Sequence, residues 1–198
     1  MASDLSSGQA LALRSLSGEA ARSVVRAARE GDEAAFRDLY EAYRDPVWTL
    51  VLSLVGDFLQ AQEILQDVFF KAFRGLDGFR FQSGLYTWIY RIALNECRNR
   101  LRRRCAPALP LDAVLGGRDE LERAQAADRS DARKAALREA VRQLPLKLRE
   151  VVVLKYLEGL SYREMSRVLR CPAGTVASRL NRALAELEAR LRPSRGPS

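Results

Sequence analysis

One stretch, residues 85–104 (LYTWIYRIALNECRNRLRRR), constrains the fold more than any other part of the chain. At 100° per residue its apolar side chains fall on one side of a helix. The opposite side carries Thr87, Arg91, Asn95, Arg98 and Arg102, with Trp88 at its border. These residue types contact phosphates, hydrogen-bond base edges and stack on unpaired bases. The stretch therefore predicts a nucleic-acid-binding helix or, alternatively, a surface helix with a solvated arginine face.

The helical period recurs along the chain, and no segment shows the convincing alternation of a strand. Two glycine–aspartate pairs, at 31–32 and 56–57, are predicted to end one helix and cap the next. Asp45 and Pro46 are predicted to interrupt a helix and to start another. The predicted helices span 19–30, 33–44, 46–55, 58–74, 85–104, 131–143, 146–158, 162–170 and 175–191.

The expected fold is all-α, with two small helical domains joined by a flexible linker. Residues 105–130 form the predicted linker, because prolines and a Gly-Gly pair break the segment. Residues 106–132 carry a net charge of −3, so the remainder carries +11. The predicted parts are a flexible N-terminus (1–18), a first domain (19–104), the linker, a second domain (131–192) and a tail (193–198).

Composition narrows the classes of function. The net charge of +8 and the pI of about 9.9 suit a polyanionic partner. Histidine is absent, and Cys97, Cys105 and Cys171 fit no metal or disulfide spacing. We therefore expect no catalytic residue, metal or cofactor. The odd, scattered cysteines favour a reducing cytoplasm, and no apolar run is long enough to insert into a membrane.

The helix predicted at 58–74 carries an unusual polar face. Its members are Glu63, Gln66, Asp67 and Phe70. Three polar groups around an aromatic ring are typical of a protein-binding surface, because exposed aromatics are favoured at interface centres. The alternative is that Phe70 packs under a loop.

The glycine-rich loop at 75–84 leads directly into the arginine-bearing helix. Its exposed-looking side chains include Phe79, Arg80 and Gln82. Beside Trp88, such a loop could receive a flipped base.

The C-terminal segment 161–191 has the proportions of a helix-turn-helix: a helix capped by Ser161, a tight turn and a longer amphipathic helix. The outer face of the second helix carries Thr175, Ser178, Arg179, Asn181 and Arg182 near its N-terminal end. A recognition helix contacts bases there. The alternative is an ordinary helical hairpin packed in a bundle.

Three motifs in order give the chain a family resemblance. They are AQEILQDVFFKAF, TWIYRIALNECRNRLRRR and LPLKLREVVVLKYLEGLSYREMSRVLRCPAGTVASRLNRAL. The chain resembles bacterial RNA polymerase sigma factors of the extracytoplasmic-function (ECF) type.

The resemblance implies a function for each surface. In the first domain, the face of Glu63, Gln66, Asp67 and Phe70 would bind the largest catalytic subunit of core RNA polymerase. The loop 79–84 and the following helix would melt the promoter −10 element and capture a flipped base. The DNA-facing positions there are Arg91, Asn95, Arg98, Asn99 and Arg102. The second domain would read the −35 element, and the linker would thread the polymerase cleft. An anti-sigma protein is an expected partner.

Two alternatives from other classes remain open on the sequence. A helix-turn-helix regulator would bind duplex operators without polymerase. An RNA-modifying enzyme would need a catalytic constellation, and the chain offers no histidine, phosphate-binding glycine loop or metal cluster for one.

Overall fold

The computed structural model describes residues 19–105 and 129–192, which are helical with short connections and contain no strand. This confirms the predicted all-α class. The predicted N-terminal segment, residues 106–128 of the linker, and the tail lie outside the described residues. The helices are α1 (Glu19–Arg29), α2 (Glu33–Val55), α3 (Phe58–Gly75), α4 (Leu85–Cys105), α5 (Arg129–Arg142), α6 (Leu146–Val152), α7 (Tyr162–Leu169) and α8 (Ala173–Leu191).

Local capping signals set several helix ends as the sequence predicts. The Asp32 carboxylate accepts a hydrogen bond from Ala34 N at 2.8 Å and caps α2, and Asp57 accepts from Gln60 N at 2.9 Å and caps α3. Gly56 ends α2 at φ 74°, in the left-handed region that favours glycine. Ser161 and Glu164 form the predicted capping box of α7.

The predicted break at Asp45 and Pro46 is wrong, because α2 runs through both residues. The Asp45 carboxylate accepts from Arg44 Nε at 2.8 Å and caps no new helix. A continuous buried stripe lies on both sides of the proline. Its members are Ala35, Leu39, Tyr43, Val47, Leu50, Val51 and Leu54. Burial of this stripe outweighs the missing proline N–H, because each buried aliphatic side chain contributes about 1.5–3 kcal/mol.

The predicted helix at 146–158 changes its winding halfway along. After α6, residues Val153–Leu157 form a π-helical turn. Glu158 N donates to Val153 O at 3.1 Å, which is the spacing of a π-helix. Gly159 follows at φ 62° and ends the segment as predicted.

The helices pack in two groups, one in each domain, and the two groups contact each other. In the N-terminal domain α2, α3 and α4 pack together with α1 against α2; in the C-terminal domain α8 packs against α5, α6 and α7. The domains meet where α4 contacts α7 and where the C-terminal half of α2 contacts α5, α6 and the π-helical turn. The outer face of α4 is therefore partly an interdomain surface.

Candidate polymerase and nucleic-acid interfaces

The predicted protein-binding face of α3 is exposed along its whole length. Glu63, Gln66, Asp67 and Phe70 all point away from the core, while Ile64 and Val68 on the same helix are buried. The Phe70 side chain is 60% exposed, so the alternative that it packs under a loop is wrong. An exposed aromatic ring framed by acids can dock into an apolar pocket of another protein.

Arg100 on α4 supports this face from the neighbouring helix. Its Nη1 donates to Glu63 Oε2 at 2.6 Å, and its Nη2 lies 3.9 Å from Asp67 Oδ2. Both acids are exposed, so the pair is mainly a constraint on side-chain direction and contributes little to stability.

The loop between α3 and α4 differs from its predicted form at one aromatic residue. Phe79 is only 5% exposed, and its ring packs against Trp88 and Phe81 at centroid distances of 5.0 Å and 4.8 Å. The expectation of an exposed Phe79 is therefore wrong. Burial of the apolar ring against the neighbouring helix lowers the free energy relative to exposure of the ring to water. Arg80 and Gln82 are exposed, and Trp88 is half-buried.

Backbone contacts fix the shape of this loop. Arg29 Nε on α1 donates to Leu76 O at 2.9 Å, and its Nη2 donates to Phe79 O. Phe81 adopts φ 53°, which bulky residues rarely do. The Arg29 guanidinium lies 5.6 Å from the Phe81 centroid. Arg29 on α1 thus binds the loop backbone at two carbonyl groups, and Arg80 and Gln82 lie on the loop surface.

The predicted DNA-facing residues of α4 have two different environments. Asn95 and Arg102 are exposed, and Asn99 accepts a hydrogen bond from Arg102 Nη2 at 2.6 Å. Arg91 and Arg98, in contrast, contact the C-terminal domain. Arg91 donates from Nε and Nη2 to the carbonyl oxygen of Arg167, at 3.0 Å and 2.7 Å. Desolvation by burial, with Arg170 nearby, lowers the pKa of Arg91.

Arg98 forms a bidentate ion pair across the domain contact. Its Nε lies 2.6 Å from Glu150 Oε1 and its Nη2 lies 2.8 Å from Oε2, and Glu150 is 1% exposed. The hydrogen bond to Glu150 raises the pKa of Arg98, so the guanidinium stays charged. Two parallel N–H···O bonds to a carboxylate are the geometry in which arginine also holds phosphate.

The predicted reading face of α8 lies at the N-terminal end of that helix. Ser178, Asn181 and Arg182 are exposed, whereas Thr175 and Arg179 are half-buried. Ser178 Oγ donates to Thr175 O at 3.0 Å, and Arg179 Nη1 lies 3.8 Å from the sulfur of Cys171. With Val176, Leu180 and Ala183 buried on the opposite side, α7 and α8 form a helix-turn-helix with a polar outer face.

Sequence reasoning missed the residues that join the domains. Glu150 lies in an otherwise apolar block and Tyr90 lies between core residues, so neither pattern indicated a polar contact. The Tyr90 hydroxyl donates to Glu158 Oε2, and burial raises the pKa of Tyr90 well above its usual value. The one available signal was the acid inside the run LREVVVL, since buried carboxylates are almost always paired.

Within residues 19–105 and 129–192, no group of three or more Cys, Asp or Glu side chains is arranged to hold a metal ion. No helix in the described part of the chain is long and apolar enough to cross a membrane.

Two known protein families match different halves of the chain. Residues 39–105 match the family described as Sigma-70 region 2, and residues 134–187 match Sigma-70, region 4. The first match covers α3 and α4 with most of α2, and the second covers α6 and α7 with most of α5 and α8.

Whole-length relatives show the same relationship. The chain is 34% identical over 189 residues to RNA polymerase sigma-H factor of Pseudomonas aeruginosa, covering 90% of this chain and 97% of the relative. It is 34% identical over 181 residues to ECF RNA polymerase sigma-E factor of Escherichia coli K12, covering 86% and 93%.

Two solved structures share the fold. CnrH, solved with the cytosolic domain of CnrY, matches with a TM-score of 0.64 at 24% identity, over 85% of this chain and 94% of that one. RpoE of Bartonella quintana, solved with the anti-sigma factor NepR, matches with a TM-score of 0.59 at 23% identity, over 81% and 98%. The order of motifs, the two family matches and the whole-length relatives agree: the chain belongs to the ECF-type RNA polymerase sigma factors, which direct core polymerase to promoters.

Proposed function

We propose that this sigma factor divides its work among three surfaces. The face of Glu63, Gln66, Asp67 and Phe70 binds the largest catalytic subunit of core RNA polymerase. The loop 79–84 and the outer face of α4 bind the melted strand of the −10 element. The N-terminal end of α8 reads the −35 element in the major groove.

The main support for the polymerase-binding surface is the exposure of Phe70 among acidic residues on the outer face of α3. Aromatic side chains are enriched in the small set of residues that supply most interface binding energy. Arg100 pairs with Glu63, two helical turns before Phe70, so this part of the surface is ordered before binding.

The −10 surface is supported by charge and by stacking groups. Arg80, Gln82, Asn95 and Arg102 are exposed around the half-buried Trp88. Arginines supply salt-dependent phosphate affinity, while amide and aromatic groups can distinguish an unpaired base. Phe79 contributes to this surface from beneath the loop, where its ring packs against Trp88 and Phe81.

The −35 surface follows from the geometry of the helix-turn-helix. The exposed Ser178, Asn181 and Arg182 project from the first turns of α8, where a recognition helix enters the major groove. Thr175 and Arg179 flank them and would contact the backbone or a neighbouring base.

The three surfaces divide the chain into two functional domains. Residues 19–104 form the polymerase and −10 domain, and residues 131–192 form the −35 domain. The protein acts in the cytoplasm, where polymerase and chromosome are found, and performs no chemical step of its own. An anti-sigma protein regulates it, by analogy with the relative from Bartonella quintana solved with NepR.

Reconstituted transcription tests the proposal. Purified bacterial core RNA polymerase is mixed with this protein and a library of bacterial promoter fragments. We expect transcripts from defined start sites that depend on the added protein. Tight binding to duplex DNA without polymerase, and no protein-dependent initiation, would instead support a helix-turn-helix regulator.

A further inference from the structure

We infer that α1 adds a phosphate-binding ridge to the −10 surface, formed by Arg22 and Arg26, which binds the backbone of the melted promoter strand. The ligand is a run of phosphates in single-stranded DNA, next to the nucleotide that the loop 79–84 receives. This inference rests on the proposed function of that loop. The ridge lies outside both matched family regions, which cover residues 39–105 and 134–187.

The ridge is a concentration of positive charge on a short helix. Between residues 20 and 29, α1 carries three arginines and no acid. At 100° per residue, Arg22, Arg26 and Arg29 fall within about 60° of one another, while Val25 and Ala28 are buried on another side of the helix. Arg22 and Arg26 are one turn apart, and like charges at that spacing repel each other. A bound anion would remove this repulsion.

The N–H donors of the ridge are available to a ligand. Arg22 and Arg26 are both exposed, and neither has a carboxylate partner among the described residues. The guanidinium carbon of Arg22 lies 5.8 Å from the centroid of the Phe81 ring, a cation–π contact. Each guanidinium has five N–H donors, so both arginines can donate to phosphate oxygens where they now stand.

Arg29 places the ridge directly beside the −10 loop. Its Nε donates to Leu76 O at 2.9 Å, and its Nη2 donates to Phe79 O. Its guanidinium carbon also lies 5.6 Å from the Phe81 centroid, so that ring contacts arginines on two successive turns of α1. Phe81 follows the exposed Arg80 of the loop. The ridge and the loop therefore form one continuous basic surface, and Arg29 is the positioning residue that joins them.

The chemistry of the ridge favours a nucleic-acid backbone over a protein partner. Among the described side chains of α1 there is no exposed large apolar residue, whereas the polymerase-binding face of α3 presents Phe70. Protein interfaces are enriched in aromatic anchors, but phosphate contacts need only guanidinium donors. Such contacts carry no sequence information. The ridge should therefore add affinity for the open strand without changing the choice of bases.

The test compares holoenzymes assembled from purified bacterial core RNA polymerase and full-length variants. Arg22→Ala and Arg26→Ala each remove one ridge charge, and Arg26→Lys keeps it. Arg44→Ala is the matched control, because it removes the same charge from an exposed site on α2. Fluorescence anisotropy measures binding to a forked promoter fragment with a duplex −35 element and a single-stranded −10 element. The promoter is one identified by reconstituted transcription with the wild-type protein.

The dependence of binding on salt concentration reports the number of phosphate contacts. Each contact to a single strand contributes about 0.7 to the slope of log affinity against log salt concentration. We therefore expect each alanine variant to bind the fork about five-fold more weakly than wild type at about 0.1 M salt, and about two-fold more weakly at about 0.4 M. The loss should be equal for every single-base substitution in the −10 element. Arg26→Lys and Arg44→Ala should keep the wild-type slope.

An unchanged slope in the folded alanine variants would overturn the ridge. An equal loss for Arg44→Ala, or on a duplex fragment that ends before the −10 element, would also overturn it, because that result reports only a change of net charge. Weaker binding to core polymerase itself would assign Arg22 and Arg26 to a protein interface instead. If circular dichroism shows that Arg22→Ala is unfolded without its Phe81 contact, the Arg26→Ala comparison decides.

Transcription by the wild-type protein separates failure of this inference from failure of the proposed function. Protein-dependent initiation together with unchanged salt slopes would reject the ridge alone. No protein-dependent initiation would reject the proposed function and the ridge with it.

Discussion

The guanidinium carbon of Arg74 lies over the ring of Phe70, 5.2 Å from the ring centroid, one helical turn further along α3. An exposed cation–π contact of this kind contributes about 0.5–1 kcal/mol. The Phe70 ring is therefore placed on the surface by its own helix, and the core beneath it is formed by other residues.

We predict that Phe70→Ala together with Asp67→Ala weakens binding to core RNA polymerase strongly while the fold survives. Loss of a central aromatic anchor costs about 2 kcal/mol or more, which is roughly 30-fold in affinity. Stability should fall by no more than about 1 kcal/mol, because the Phe70 ring is mostly in water. Core binding is measured by titration with labelled protein, and stability by urea denaturation.

The matched control for that prediction is Leu59→Ala. Leu59 is also an exposed apolar residue of α3, but it lies at the other end of the helix. Equal losses of polymerase affinity for both variants would show that general surface hydrophobicity, not the Phe70 face, mediates binding.

A second prediction concerns the reading face of α8. Arg182 is exposed and pairs with Glu186 at 3.2 Å. Arg182→Ala should cost about 1–3 kcal/mol at specific upstream base positions if its guanidinium reads bases. Arg190→Ala is the control, since Arg190 pairs with the same Glu186 but lies near the C-terminal end of the helix.

Holoenzyme binding to a set of single-base promoter variants measures this effect. A loss confined to particular positions supports base reading by Arg182. An equal loss at every position would contradict base reading and assign Arg182 to the phosphate backbone, and Arg190→Ala should leave the profile unchanged.

Features set by neighbouring residues could be predicted from the sequence. Gly56 and Asp57 end one helix and cap the next within two positions, and Ser161 and Glu164 form their capping box within one turn. The exposure of the Glu63, Gln66, Asp67 and Phe70 face followed from helical periodicity alone. Such signals are complete within a few residues of chain.

Features set by distant residues could not be predicted. Arg98 meets Glu150 across 52 residues of sequence, and Tyr90 meets Glu158 across 68. Periodicity places Arg98 on a polar face but does not say whether solvent, DNA or another domain covers it. Phe79 looked exposed for a different reason: its burial against Phe81 and Trp88 depends on the conformation of the loop, with Phe81 at φ 53°, which helical periodicity does not describe.

A third prediction concerns the alkaline stability of the N-terminal domain. Burial, reinforced by the charges of Glu150 and Glu96, raises the pKa of the Cys97 thiol from 9.0 to about 12. A raised thiol pKa means that the unfolded chain loses its proton first. The stabilisation is therefore complete below pH 9 and is lost as pH rises toward 12.

The measurement is the free energy of unfolding as a function of pH for wild type and Cys97→Ala. Release of one proton on unfolding lowers the free energy of unfolding by about 1.4 kcal/mol per pH unit. Cys97→Ala has no thiol, so its free energy of unfolding should lack this contribution to the slope. Tyr43, whose pKa burial also raises to about 12, remains in both proteins and supplies a common background. Parallel curves above pH 9 would contradict the burial of the Cys97 thiol.

The last prediction uses the proline that α2 tolerates. Pro46 removes one backbone N–H from a helix interior, at a cost of about 3 kcal/mol relative to alanine in an isolated helix. Pro46→Ala should raise the free energy of unfolding by less than this, about 1–2 kcal/mol, because proline also restricts the unfolded chain. Ala42→Gly, in the same helix one turn earlier, should lower stability by about 1 kcal/mol and calibrates the response to helix propensity. Urea denaturation followed by circular dichroism measures both. A destabilised Pro46→Ala would show that the half-buried pyrrolidine ring contributes more through burial than its missing N–H removes.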